Sequence, residues 1–163
     1  MSSFNRRAFL IAAAATIAGC GFTPAYGPGG GGSVLQGRVE VDEPNTRDGY
    51  LLVRQLENRL GRAQTPRFGL SVALDTSEEG LAYTQDAKIT RYDLIGKATY
   101  ALRDLGTGEV LTSGTVDSFT GYSTTGSTVA TLAAESDARE RLMIILADQI
   151  TTHLLAAAQD LPQ

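Results

Sequence analysis

The chain has very few side chains that could carry out nucleophilic or metal chemistry. Its 163 residues include one cysteine, Cys20, and one histidine, His153. A disulfide needs two cysteines, a structural zinc site needs four ligands, and a thioredoxin-like motif needs Cys-x-x-Cys, so counting excludes all three. A Ser-His-Asp or Cys-His mechanism would have to use His153, which we expect to be structural. We therefore predict a protein that is not an enzyme and has no metal or dissociable cofactor.

The residues around Cys20 are typical of covalent lipid attachment. Ile17, Ala18 and Gly19 precede the cysteine, and this order of one aliphatic and two small residues resembles the lipobox of bacterial lipoproteins. The resemblance implies diacylglycerol on the Cys20 sulfur, cleavage before Cys20 and acylation of the new amino terminus. Several acyl chains anchor more firmly than one, because each buried CH₂ contributes roughly 0.8 kcal/mol. Cys20 is the predicted lipidation site.

Residues 1–19 have the organisation of a lipoprotein signal peptide. Arg6 and Arg7 supply a positive start, a run of ten mostly apolar residues follows, and small residues precede the cleavage site. Ten such residues are too few to span a bilayer. The arginine pair also partly matches a twin-arginine signal, so both export routes remain open. Gly21, in place of aspartate, implies passage to the outer membrane by the enterobacterial sorting rule.

The charge of the chain argues against a nucleic-acid partner. Lys and Arg number 14 and Asp and Glu number 18, which gives a net charge of −4. Removal of residues 1–19 would take away two arginines and no acid, and would lower the net charge to −6. Proteins that grip phosphates are usually basic, and an acidic body does not adhere to an anionic membrane by bulk charge. The membrane is therefore reached through the lipid on Cys20.

The rest of the sequence divides into a tether and one domain. Residues 20–33 contain two prolines and four consecutive glycines, and we expect a flexible tether there. Residues 34–160 are predicted to form a single domain. Period-2 and helical patterns predict a strand at 34–41, a helix at 46–61, strands at 67–75, 82–103 and 110–122, and a helix at 129–158.

Two details belong to these strands. A polar turn is predicted at 76–80 and a glycine-containing hairpin loop at 104–109. The parity of Ile89 differs from that of the apolar positions after it, which predicts a β-bulge between Thr90 and Gly96.

The order of elements predicts the architecture. Each helix has one apolar stripe, such as Leu142, Leu146, Ile150 and Leu154, that needs a sheet to cover it. We therefore predict an α+β two-layer sandwich, a four-stranded mixed sheet with two helices packed on one face. The opposite face of the sheet would carry mainly small and hydroxylic side chains and could meet solvent or a partner.

The mature start and the order of elements resemble one family. Cys20, Gly21, Phe22, Pro24 and Tyr26 are similar to the start of the LPS-assembly lipoprotein LptE family. The likeness continues through residues 98–102, 114–122 and 133–138 and covers the chain to about Leu155. It implies a non-enzymatic outer-membrane lipoprotein that plugs the LptD β-barrel, helps the barrel assemble and assists delivery of lipopolysaccharide to the outer leaflet.

Basic side chains on the long strand are candidate lipopolysaccharide contacts, because that ligand is anionic. Lys88, Arg91, Lys97 and Arg103 lie on or beside it, and we predict Arg91 and Lys97 as the contacts. The alternative is an ordinary solvated strand, where lysine also blocks edge aggregation.

Aromatic and hydroxylic residues offer further candidate contacts. Tyr83, Tyr92 and Tyr122 could be buried by a barrel wall, or could pack in the core or be exposed. Residues 123–131 are rich in Ser and Thr and could bond a partner's backbone, although loop and helix-start chemistry is the commoner explanation.

Two other functions fit parts of the sequence. A periplasmic lipid- or solute-binding lipoprotein, accessory to an ABC transporter, would need a closed apolar cavity. A hydrolase that uses carboxylates such as Asp75 or Asp117 would have only the presence of acids on strands in its favour.

Overall fold

The computed structural model describes residue 27, residues 32–83 and residues 89–161. Cys20, the signal segment and Lys88 lie outside the described residues. The elements, in chain order, are α1 (Gly32–Leu35), β1 (Val39–Val41), α2 (Arg47–Leu60), β2 (Phe68–Tyr83), β3 (Ile89–Asp104), β4 (Val110–Ser123) and α3 (Thr128–Ala157). The strands form one sheet in the order β1-β2-β3-β4, parallel between β1 and β2 and antiparallel elsewhere. The predicted α+β fold with a four-stranded mixed sheet is confirmed.

Helix α2 forms where its apolar stripe and its end signals predicted it. The Thr46 hydroxyl accepts a hydrogen bond from the Gly49 N–H and caps the first turn, which also carries Asp48. Leu52, Leu56 and Leu60 are all buried, and Gly61 ends the helix with a φ of 75°.

Helix α3 is 30 residues long, or about 45 Å, and carries the predicted ladder. Leu142, Leu146, Ile150 and Leu154 are fully buried. The close approach of the helix to β3 occurs at Gly96, where a Cβ would lie 2.9 Å from Leu142 Cδ2. A side chain at this position would therefore force helix and sheet apart.

The two long helices lie side by side on one face of the sheet. Ion pairs join Arg54 to Glu140 and Arg59 to Asp148. Because the residue numbers increase in both helices from the first pair to the second, the helices run in the same direction. Exposed pairs of this kind contribute at most about 1 kcal/mol each. The shared core beneath the helices therefore holds this layer together.

Three local predictions were wrong. The predicted turn at 76–80 is part of β2, which pairs with β3 as far as Tyr83. Residues 75–79 of β2 are Asp, Thr, Ser, Glu and Glu, and this run of polar residues looked like a turn in the sequence. The predicted strand at 34–41 is limited to β1, and the α1 turn before it buries Leu35.

The predicted bulge also lies elsewhere. The register shifts occur between Gly80 and Tyr83 of β2, opposite the first residues of β3, and the pairing is regular from Tyr92 to Asp104. The parity change that Ile89 signalled is therefore made at the very start of β3.

Candidate functional surface: the open face of the sheet

The face of the sheet opposite the helices is polar and exposed. Even-numbered β3 residues such as Leu94, Ala98 and Leu102 are buried beneath the helices, so the odd-numbered residues point to the other side. On this open face lie Ser71, Ala73, Asp75, Ser77 and Glu79 of β2, Arg91, Asp93, Ile95, Lys97, Thr99, Ala101 and Arg103 of β3, and Ser113, Thr115, Asp117, Phe119 and Gly121 of β4. Eight of these seventeen residues are hydroxylic or small and seven are charged, so the face is mostly polar and carries more charge than the sequence predicted.

Arg91 lies at one end of this face. Its Nη2 atom is 3.3 Å from the point where a Gly121 Cβ would be, and the Asp93 Oδ1 atom is 3.0 Å from the same point. The guanidinium therefore lies against the backbone of β4 in space that only a glycine leaves open. Arg91 is exposed and makes no ion pair with a described residue.

Lys97 lies in the middle of the face and has a different environment. Asp75 of β2 and Asp117 of β4 are its direct cross-strand partners. Such partners have Cβ atoms about 5 Å apart, so the row places one acidic residue on each side of Lys97 and has a net charge of −1. Arg91 and Lys97 share the face but are separated by six residues, or about 20 Å.

Arg103, the third basic residue of the strand, is already paired. Its Nη2 atom lies 2.6 Å from Asp42 Oδ1. The hydrogen bond and the charge of Asp42 raise the pKa of the guanidinium. Arg103 therefore ties β3 to the segment after β1.

The tyrosine pair lies on the helix side of the sheet. Tyr92 and Tyr122 stack with ring centroids 5.5 Å apart, and the Tyr122 hydroxyl donates to Glu78 at 3.4 Å. Burial, reinforced by the charge of Glu78, raises the pKa of Tyr122 to about 12. Tyr122 is thus a core residue, while the side chain of Tyr83 lies outside the described residues.

An ionic cluster that the sequence did not reveal lies beside this pair. Arg139 of α3 bonds Asp48 of α2 at 2.9 Å, Glu78 of β2 at 2.6 Å and Glu135 at 3.0 Å. Glu135 is four residues before Arg139 on the same helix, a spacing visible in the sequence, whereas the other two partners lie far away along the chain. One guanidinium therefore joins three elements at the end of the domain where α2 and α3 begin.

This cluster borders an open cleft of about 630 Å³. Leu51, Leu74 and Leu132 supply its apolar lining, and Arg47 and the Arg139 cluster supply its charges. A solute-binding protein would use a closed apolar cavity, whereas this cleft is open and partly lined by charged side chains.

His153 and the hydroxyl-rich loop have structural roles. The Nδ1 atom of His153 lies 3.1 Å from the Tyr100 hydroxyl. Ser123 and Thr124 donate to the carbonyls of Thr90 and Ile89, and Ser127 caps α3. Within the described residues, no group of His, Cys, Asp and Glu side chains could hold a metal ion.

The fold defines a class of small lipoprotein domains. A lipoprotein from Caulobacter crescentus CB15 superposes with a TM-score of 0.68 at 23% identity, over 82% of this chain and 98% of that chain. Rare lipoprotein B from Shewanella oneidensis gives 0.57 at 12% identity, over 76% and 96%. A minor lipoprotein from Acinetobacter baumannii gives 0.57 at 19% identity, over 76% and 94%. At these identities the likeness concerns the fold.

The sequence identifies the family within this class. The family described as "LptE: Lipopolysaccharide-assembly" matches residues 37–154, more than half of the chain, and the chain belongs to this family. The resemblance predicted from the sequence is confirmed. No curated protein matches the chain significantly.

Membership in this family implies a role in lipopolysaccharide assembly. LptE proteins are non-enzymatic lipopolysaccharide-assembly lipoproteins that work with LptD and are associated with the outer membrane. In the described part of the chain, every helix is too short or too polar to cross a membrane.

Proposed function

We propose that this chain is the lipoprotein plug of an LptD-type β-barrel, which it helps to assemble and through which it assists lipopolysaccharide delivery to the outer leaflet. The family match over residues 37–154 is the observation that carries this proposal. In this proposal acyl chains on Cys20 anchor the protein to the outer membrane, and the domain faces the periplasm and the barrel lumen.

We further propose that Arg91 and Lys97 contact the anionic groups of lipopolysaccharide. Both side chains are exposed on the open face, and charge-assisted bonds to phosphate are among the stronger hydrogen bonds. Arg91 should contribute more, because Lys97 has two acidic cross-strand partners, Asp75 and Asp117, whereas Arg91 has one nearby carboxylate, that of Asp93.

The alternative, a solute-binding lipoprotein accessory to an ABC transporter, has less support. The cleft between α2, β2 and α3 is open and lined by charged side chains, and the family match favours lipopolysaccharide assembly.

Depletion of the protein in its own cells tests the proposal. Surface lipopolysaccharide and the amount of heat-resistant, assembled LptD should both fall, and expression of the natural chain should restore them. Unchanged surface lipopolysaccharide together with unchanged LptD would contradict the proposed function.

Lipidation is tested separately with the Cys20→Ala variant. The variant should lose incorporated palmitate and leave the outer-membrane fraction while its domain keeps the same thermal unfolding midpoint. Persistent palmitate labelling would contradict Cys20 as the lipidation site. The matched control, Ser33→Ala, should label normally.

A further inference from the structure

Strand β4 forms one edge of the sheet. It pairs with β3 on one side, and no described strand lies on its other side. An edge strand presents a row of main-chain N–H and C=O groups that can pair with another strand. Two hydrogen bonds at the C-terminal end of β4 show which of its residues present these groups toward β3 and which present them outward.

The odd-numbered residues of β4 present their main-chain groups outward. The Thr124 N–H donates to the Thr90 carbonyl, so even-numbered residues point toward β3. The Gly121 carbonyl accepts instead from the Arg141 guanidinium of α3 at 3.4 Å. Because antiparallel pairing alternates, Ser113, Thr115, Asp117 and Phe119 also point outward. Arg141 therefore occupies the end of the edge and leaves the stretch 113–119 available.

From Thr112 onward this edge lacks most of the features that normally prevent strand addition, and the one register shift of β4 against β3 lies before Thr112. Its 14 residues include no Lys, Arg or Pro, and Asp117 is its one charged residue. Proteins usually protect edges with lysine, proline, bulges or short strands. Here the register is regular from Thr112 to Ser123. Phe119, on the open face of the same stretch, is 64% exposed.

The opposite edge of the sheet is protected. β1 pairs with the first three residues of β2, and residues 42–46 lie beside Val72 and Leu74. Beyond them β2 carries Asp75, Glu78 and Glu79, which would repel an acidic strand. The two edges of one sheet therefore differ strongly, and only β4 is built to accept a strand.

We infer that residues 113–119 of β4 pair with an extended segment of the LptD-type partner, which adds a fifth strand to the sheet. The inference rests on the proposed function. A closed barrel wall has no free edge, so the segment comes from a loop or terminal region of the partner. Such addition gains affinity from main-chain hydrogen bonds and specificity from alternate side chains.

The side chains of the open face indicate the chemistry of that segment. Charges alternate across the row Asp75, Lys97 and Asp117, so a Lys or Arg opposite Asp117 would continue the alternation. The residue of the added segment that lies opposite Phe119 would carry an apolar side chain. A second copy of this chain fits poorly. If the β4 strands of two copies paired so that their stretches 113–119 overlapped most, the two Asp117 carboxylates would lie opposite or diagonal to each other and would repel.

Amide hydrogen exchange of the isolated domain and of the purified complex with LptD tests the inference. In the isolated domain, the amides of 113, 115, 117 and 119 should exchange fast and those of 114, 116 and 118 slowly. In the complex, the odd-numbered amides should slow by about tenfold or more. A complex in which they stay fast would overturn the inference and leave the proposed function intact. Failure to form any complex would overturn both, and protection that grows with concentration in the isolated protein would assign the edge to a second copy instead.

A pair of substitutions at Thr115 provides an independent test. Thr115→Pro removes one outward N–H, and edge strands tolerate proline where the N–H faces outward. Thr115→Val keeps that N–H and, like the proline variant, loses the hydroxyl contact with Thr99. The proline variant should bind LptD about tenfold more weakly, and the valine variant should bind normally. Equal binding by the two variants, at comparable unfolding midpoints, would overturn the inference.

The expected cation on the partner is tested by charge reversal. Asp117→Lys should weaken the complex several-fold, whereas Asp75→Lys, in the same row but two strands from the edge, should weaken it much less. Equal effects would show that bulk charge and not pairing at the edge controls binding.

Discussion

Neutralising the two aspartates beside Lys97 should strengthen binding of lipopolysaccharide. Asp75 and Asp117 are the cross-strand partners of Lys97, so the natural row has a net charge of −1 and the double variant Asp75→Asn, Asp117→Asn gives +1. Asparagine has nearly the same shape as aspartate, so the change is mainly electrostatic.

The size of the gain follows from Coulomb's law. A phosphate about 6 Å from a carboxylate in water is repelled by about 0.7 kcal/mol, and removal of two carboxylates therefore contributes about 1.4 kcal/mol, or about tenfold in affinity. Screening at physiological ionic strength reduces this to about threefold. The gain should therefore decrease steeply with added salt.

The assay is equilibrium binding of purified lipopolysaccharide to the detergent-solubilised protein at low and physiological salt. The control variant Glu43→Gln, Glu109→Gln makes the same change in net charge at exposed positions off the open face. The reasoning would be refuted if the double variant bound no more tightly than the natural protein, or if the control gained as much.

Three further predictions concern the domain itself. Burial raises the pKa of Tyr122 in the folded protein above that of an unfolded tyrosine, so the stabilisation by its protonated hydroxyl is fully present below about pH 10. Between pH 10 and 12 the natural protein should lose about 2 to 3 kcal/mol of unfolding free energy, because the unfolded state releases this proton first. The Tyr122→Phe variant should lose less over the same pH range in urea titrations. Gly96→Val should cost about 1 to 3 kcal/mol in the same assay, because its Cβ meets Leu142, and an unchanged midpoint would refute the close approach. Thr151→Val should gain about 1 kcal/mol, since the Thr151 hydroxyl is buried without a hydrogen-bond partner among the described residues; a loss would contradict this reading.

The helices and the layer arrangement could be predicted from the sequence because their signals are local. The repeat of Leu52, Leu56 and Leu60 and the ladder that begins at Leu142 each identify one buried stripe. Two stripes and four extended segments leave few ways to build a covered sheet. The far half of β2 was missed because residues 75–79 are all polar and lack the apolar alternation of residues 68–74.

The environment of the candidate contacts could not be predicted, because it depends on strand register. Arg91 and Lys97 look alike in the sequence, as exposed cations on one strand. Only the pairing of β3 with both neighbours places Asp75 and Asp117 beside Lys97, and Gly121 beneath Arg91. Asp48 and Glu78, the two long-range partners of Arg139, were missed for the same reason.

Purification of the tagged protein from detergent-solubilised outer membranes would show whether the chain is the plug of a barrel. We expect one large β-barrel protein, LptD, to be recovered in equal molar amount and to stay bound through stringent washing, with acyl chains on Cys20. Recovery of the acylated protein alone, or with a small-molecule solute in place of a barrel, would show that it is not a barrel plug.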